Sequence, residues 1–93
     1  MLSFLMGWVR KRRMLRKLWQ ADAQHLIDAD ERNAYYSAQR LAAKSRATGD
    51  ADGFFHWSKV AAEVARRSSV AEMDFAVVQS IARAELGETG RDK

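Results

Sequence analysis

The chain contains no cysteine and no proline. Without cysteine there is no disulfide staple, no thiolate metal ligand and no cysteine nucleophile, a composition that fits a reducing compartment. Proline, usually about 5% of residues, punctuates sheets, turns and loops, so its absence points to long helices joined by short connections. Long hydrophobic runs are missing too: a membrane-spanning helix needs about 20 apolar residues, and the apolar run at the start of the chain stops at Val9. Acids are absent before Asp22. A secretory signal is excluded by order, because the charges come after the apolar stretch instead of before it, and Arg and Lys separate Ala21-Asp22-Ala23, which mimics a cleavage site, from any apolar core. A mitochondrial-type presequence remains compatible with the amphipathic, basic, acid-free segment.

The residues that are present favour helix. Ala and Arg are the commonest residues, and with Leu, Glu, Gln and Met, all good helix formers, they make up about half of the chain; 93 residues make one domain with a modest core. The net charge is +4 but uneven. Six of the 16 Lys and Arg lie in residues 1–20 with no acid, and the other ten are set against 12 acids. The basic character therefore belongs to the N-terminal segment, which suits an anionic surface.

The expected fold is all-α: a small antiparallel bundle of three or four helices with a basic amphipathic N-terminal helix. Residues 1–20 form that helix, 21–87 the bundle, and 88–93 a disordered polar tail. At 100° per residue, Phe4, Trp8, Leu15, Leu18 and Trp19 share one side of the first helix, interrupted by Lys11 and Arg12. A second helix is expected over roughly 22–47 with Leu26, Ala34, Ala38, Leu41, Ala42 and Ser45 in a stripe. Nothing in the sequence breaks the chain between Trp19 and Ala47, so the first helix can run into the second. Gly49-Asp50-Ala51-Asp52-Gly53 is the clearest turn, with an aspartate to cap the next helix. The third helix, from about Gly53 to Arg67, carries Phe54, Trp57, Ala61, Val64 and Ala65 on one face and Lys59, Glu63, Arg66 and Arg67 mostly on the other. Ala38, Ala42, Ala61 and Ala65 leave room for close contact between the second and third helices. The segment 34–67 resembles one tetratricopeptide-type helical hairpin, with alanines at the helix contacts and Gly-Asp at the turn; no repeat of it occurs, so the likeness is one of helix packing. Ser69 with Glu72 has capping-box spacing. It predicts a fourth helix to Leu86, with Met73, Val77, Ile81 and Ala84 inward, Phe75, Val78 and Ala82 beside them, and Gly87 as a left-handed cap.

Motifs for chemistry are scarce. Asp50-Ala51-Asp52-Gly53 has the start of a calcium loop, but Phe54 and Ala61 stand where further oxygen ligands belong, so the string reads as turn and cap. His25 and His56 lack the spacing that puts two imidazoles on one helix face, so no metal site is expected. Each has an acid about one turn away, Asp22 and Asp52 respectively. Phe54 and Trp57 have core spacing, with Tyr35 and Tyr36 facing them. Phe55 and one tyrosine are left over, because adjacent helical residues cannot both point inward. No serine elbow or phosphate loop occurs, and Glu63, Glu72, Asp74 and Glu85 read as solvated faces. No catalytic residue, cofactor or metal is expected.

The candidate site is the basic helix itself: Phe4, Trp8, Leu15, Leu18 and Trp19 as its apolar part, and Arg10, Lys11, Arg12, Arg13, Arg16 and Lys17 as its charge. A surface helix ordinarily mixes both signs, and tryptophan favours lipid headgroups. The expected function is a small non-enzymatic interaction or adaptor protein, cytoplasmic or peripheral at the inner membrane face. It docks on a membrane surface or an acidic protein partner, and a second copy of the chain is a further candidate. The alternative is a nucleic-acid-binding protein that uses the same segment as a basic arm.

Overall fold

The computed structural model describes residues 2–87, with side chains described from Arg10 onward; the tail expected over 88–93 lies outside them. Among the described residues every regular element is helical: α1 (Leu2–Asp30), a short 3-10 turn (Glu31–Asn33), α2 (Ala34–Ala47), α3 (Ala51–Arg67) and α4 (Phe75–Glu85). The all-α expectation holds. The break between the first two helices falls at residues 31–33 and not near 21. Asp30 leaves helical geometry with φ −166° and ψ 86°, and the Asn33 side chain donates to the Asp30 carboxylate. Neither side chain caps the following helix, and the chain turns here where neither glycine nor proline marks it.

The next corner matches the sequence. Gly49 adopts φ 77°, a left-handed conformation that costs glycine little. Asp50 then caps α3 by accepting from the Gly53 amide at 2.9 Å. The tight turn lays α2 antiparallel to α3, and α1, antiparallel to α2, runs alongside α3 in the same direction. Cross-links fix that register: Trp19 meets Phe55, His56 bonds Asp22, and Ser68 at the end of α3 bonds Glu31 at the end of α1.

The core is built from small residues. Ala23 of α1, Ala34 and Ala38 of α2, Val60, Ala61 and Val64 of α3, and Ala71 form one buried cluster. Trp19, Leu26, Ile27, Tyr35 and Trp57 pack against it half-buried. Alanine lets the backbones approach closely, and the large side chains seal the edges. Trp57 thus serves as an anchor, but Phe54 is exposed beneath the Arg46 guanidinium, 6.0 Å from its ring centroid. Both tyrosines are used: Tyr35 edges the core, while Tyr36 is buried and its hydroxyl accepts from the Asp74 amide at 2.8 Å.

The link from α3 to α4 departs most from expectation. Residues 68–74 form a non-helical strap, and α4 begins only at Phe75, capped by Asp74 accepting from the Ala76 amide. The capping box at Ser69 is not formed. Ser68, buried, does the turning: its hydroxyl donates to Glu31 and accepts from the Val70 and Ala71 amides. The strap is then tied across the α1–α2 corner, where the Glu72 amide donates to the Arg32 carbonyl and the Arg32 guanidinium to the Glu72 carboxylate. That carboxylate raises the Arg32 pKa above its usual value. Of the positions expected inward, Ile81 is buried, whereas Met73, Val77 and Ala84 are exposed; Phe75, expected beside them, is exposed too. α4 is shorter than expected, and Val78, Ile81, Ala82 and Glu85 are its least exposed residues. Gly87 closes α4 at φ 78° as expected.

Candidate functional site

α1 is 29 residues long, about 43 Å at 1.5 Å per residue. α3, which begins at Ala51 beside the middle of α1, has 17 residues, about 25 Å. Because the Trp19–Phe55 and Asp22–His56 pairs set the two helices side by side, the first turns of α1 run past the start of α3. One helix therefore does two jobs. Its second half, from Trp19 through Ile27, belongs to the core. Its first half carries the charge.

Arg10, Lys11, Arg12, Arg13, Arg16 and Lys17 are all exposed. Among the described residues, no ion pair forms at Arg10, Lys11, Arg13, Arg16 or Lys17; the salt bridges of Arg and Lys lie elsewhere, at Arg32–Glu72, Arg40–Glu85 and Glu63 with Arg66 and Arg67. Leu15 is half-buried, and Trp19 packs on the core with an edge-to-face contact to Phe55 at 5.8 Å. Phe4 and Trp8 lie outside the residues whose side chains are described. Two apolar residues stand open on the same helix: Leu18, expected in the apolar part, at 50% exposure, and Met14, not among the expected members, at 63%. Periodicity places Leu18 in the stripe that includes Trp19, yet only Trp19 of the two reaches α3. Their four-residue spacing puts Met14 and Leu18 on one side of α1, a signal present in the sequence.

The structure also adds Phe55 and Lys59. Phe55, left over from the core, is 51% exposed and closes on Trp19. The Lys59 ammonium lies 5.3 Å from the Phe55 ring centroid and 5.5 Å from that of Trp19, within cation–π range. Two clefts share Leu15, Trp19 and Phe55 as walls. The first, about 290 Å³, adds Arg12, Arg16 and Lys59; the second, about 470 Å³, adds Lys11, Asp52 and His56. His56 pairs with Asp22 at 2.7 Å and stacks edge-on against Trp57, so its partner is not the Asp52 suggested by spacing. His25 is exposed.

The remaining acids serve the fold. Glu63 is 6% exposed, not a solvated residue: Arg66 and Arg67, one turn on, pair with it, and Arg67 also donates to Gln24 of α1. Among the described residues no group of three or more metal-ligating side chains occurs, and no helix is long and apolar enough to cross a membrane. The cleft beside the Gly49 turn, about 550 Å³ with Arg46 and Phe54 in its wall, presents one carboxylate, Asp50, already engaged as a helix cap. Comparison of the chain with family models, curated proteins and solved structures finds no match in any of the three.

Proposed function

We propose that this is a small non-enzymatic interaction protein in which α2–α4 and the second half of α1 form an antiparallel bundle. The basic, amphipathic first half of α1 docks that bundle on an anionic membrane surface, most simply the inner face of the cytoplasmic membrane. The observation that supports this is the exposed run Arg10 to Lys17, with no carboxylate before Asp22, on a helix that outruns its partner α3. Among the described residues Arg10, Lys11, Arg13, Arg16 and Lys17 form no ion pair, whereas a surface helix ordinarily mixes both charge signs. Each cation contributes about 1 kcal/mol near acidic lipid, though a helix cannot turn all six towards one plane. Met14 and Leu18 add apolar area at roughly 25 cal/mol per Å² removed from water, and Phe4 and Trp8 extend that contribution by sequence. Charge and apolar contact together give the two signals that reversible anchoring requires.

Co-sedimentation of the full chain with phosphatidylcholine vesicles, with and without phosphatidylglycerol, tests this. Binding is expected only with the acidic lipid. The triple variant Arg10→Gln/Lys11→Gln/Arg13→Gln should bind about a hundredfold more weakly, three charges at about 1 kcal/mol each, with an unchanged melting midpoint. Equal pelleting with neutral vesicles, or none with acidic vesicles at low salt, overturns the proposal. Binding to duplex DNA without binding to vesicles would select the basic-arm alternative.

A further inference from the structure

The basic helix alone does not explain why Lys59, on α3, sits over two aromatic rings at the edge of the α1–α3 junction. We propose that the cleft between α1 and the start of α3 is a seat for the phosphate headgroup of an acidic phospholipid, with Lys59 and Arg16 as its ligands and Phe55, Trp19 and Leu15 as the apolar wall beneath the glycerol and acyl carbons. This rests on the membrane-docking reading and specifies where one lipid is held. The cleft, about 290 Å³, is lined by Arg12, Leu15, Arg16, Trp19, Phe55 and Lys59, a set with three cations and no carboxylate. The adjoining cleft does include Asp52, together with His56 and Lys11, so the anion's place is on the Lys59 side.

The occupant is set by charge and shape. The Lys59 ammonium, 5.3 and 5.5 Å from the two ring centroids, is held by the ring faces. Its outward N–H bonds can donate to a phosphate oxygen, a charge-assisted and therefore strong interaction. Arg16 offers a planar fork for the other oxygens. A free phosphate would use the cations but leave Phe55, 51% exposed, in water; an amphiphile covers both. Lys59 belongs to the bundle body, not to the basic run, so the seat fixes the orientation of the domain on the bilayer where the helix alone fixes only its attachment.

The test compares wild type, Lys59→Gln, Phe55→Ala and Arg40→Gln as full chains with phosphatidylcholine vesicles containing phosphatidylglycerol. Arg40→Gln removes the same charge from the α4 side, where Arg40 is near Glu85 at 3.8 Å. Circular-dichroism melts establish that each variant is folded. Lys59→Gln and Phe55→Ala should each weaken binding about fivefold, the effect of about 1 kcal/mol, while Arg40→Gln leaves it unchanged. If wild type binds and Lys59→Gln binds as well as Arg40→Gln does, the seat is wrong and the basic-helix reading stands. If wild type ignores the acidic vesicles, both fail together. If Phe55→Ala binds as wild type and only Lys59→Gln weakens, charge alone is at work and the lipid seat is overturned.

Discussion

Gly53 lies inside the first turn of α3, where alanine would ordinarily stabilise a helix by about 1 kcal/mol. A Cβ there would press into the Asp50 carboxylate and come 2.6 Å from the Ser45 hydroxyl. The hydroxyl can rotate away, whereas the carboxylate cannot move without leaving the Gly53 amide it caps. Gly53→Ala is therefore expected to bring no gain, or a loss of up to about 1 kcal/mol, the usual worth of a cap. In an Asp50→Ala background the same substitution should gain about 1 kcal/mol. Urea denaturation of the four proteins of this cycle measures the coupling, and additive effects would show that the cap and the glycine are independent. Ser68 and Ser69 offer a second contrast between neighbours. Ser68→Ala strands the Val70 and Ala71 amides and the Glu31 carboxylate, at a cost of about 1–3 kcal/mol. Ser69 is exposed, and its replacement by alanine should stay within about 0.5 kcal/mol. Equal costs in thermal melts would restore Ser69 as the turning residue.

Between elements, the α2–α3 contact depends on alanine at the interface. Ala38 and Ala61 are fully buried against Val60 and Val64, and this closeness brings Trp57 and Tyr35 to the rim. Ala38→Leu should push the helices apart and cost about 1–3 kcal/mol. Removing the rim is expected to cost more: Trp57→Ala about 3 kcal/mol, at the low end for aromatic truncation because the ring is only half-buried. Phe54→Ala, on an exposed ring, should cost about 1 kcal/mol or less. A melt in which Phe54→Ala proved the more damaging would mean that the junction is packed differently. α4 is held on α2 by Ile81, the Tyr36–Asp74 bond and the strap, with Phe75 at 73% exposure. One residue of α4, Ile81, is buried, against five of α2 and four of α3, and the least protected amides in hydrogen exchange are expected there, among the helices beyond the first half of α1.

At the scale of the whole molecule, the proposed docking and the folding would draw on different forces. The folded core is apolar and largely alanine, and the exposed ion pairs Arg32–Glu72 and Arg40–Glu85 contribute little to stability. The proposed docking would depend on exposed cations, whose field is cut from a range of about 30 Å at 0.01 M salt to about 3 Å at 1 M. Raising the salt across that interval should release the protein from acidic vesicles while shifting the melting midpoint only slightly. Paired sedimentation and melting measurements in the same buffers check this. Loss of structure in parallel with release would mean that the basic segment and the bundle share one electrostatic support.

Composition and local pattern determined that the chain is helical, that the α2–α3 corner turns at Gly49 with Asp50 as cap, that Gly87 ends the last helix, and that positive charge collects before Asp22. Each is a property of a few neighbouring residues: missing proline, a left-handed glycine, a carboxylate three residues before an amide. Helical periodicity also marked Ala38, Ala61 and Val64 as core. Only the tertiary structure decided the rest, because it turns on which segments meet. The break at residues 31–33 carries no glycine or proline to announce it. The choice of Ser68 over Ser69 depends on where Glu31 stands, 37 residues away. His56 pairs with Asp22 across two helices instead of with Asp52 on its own. Glu63 is buried in the packed molecule, where its partner Arg67 reaches Gln24 of α1, and Lys59 meets Trp19 and Phe55 only because α1 and α3 run side by side. Trp19 and Leu18 are adjacent in the sequence, and their different fates were set by the direction from which α3 approaches: one side chain meets a helix, the other meets water.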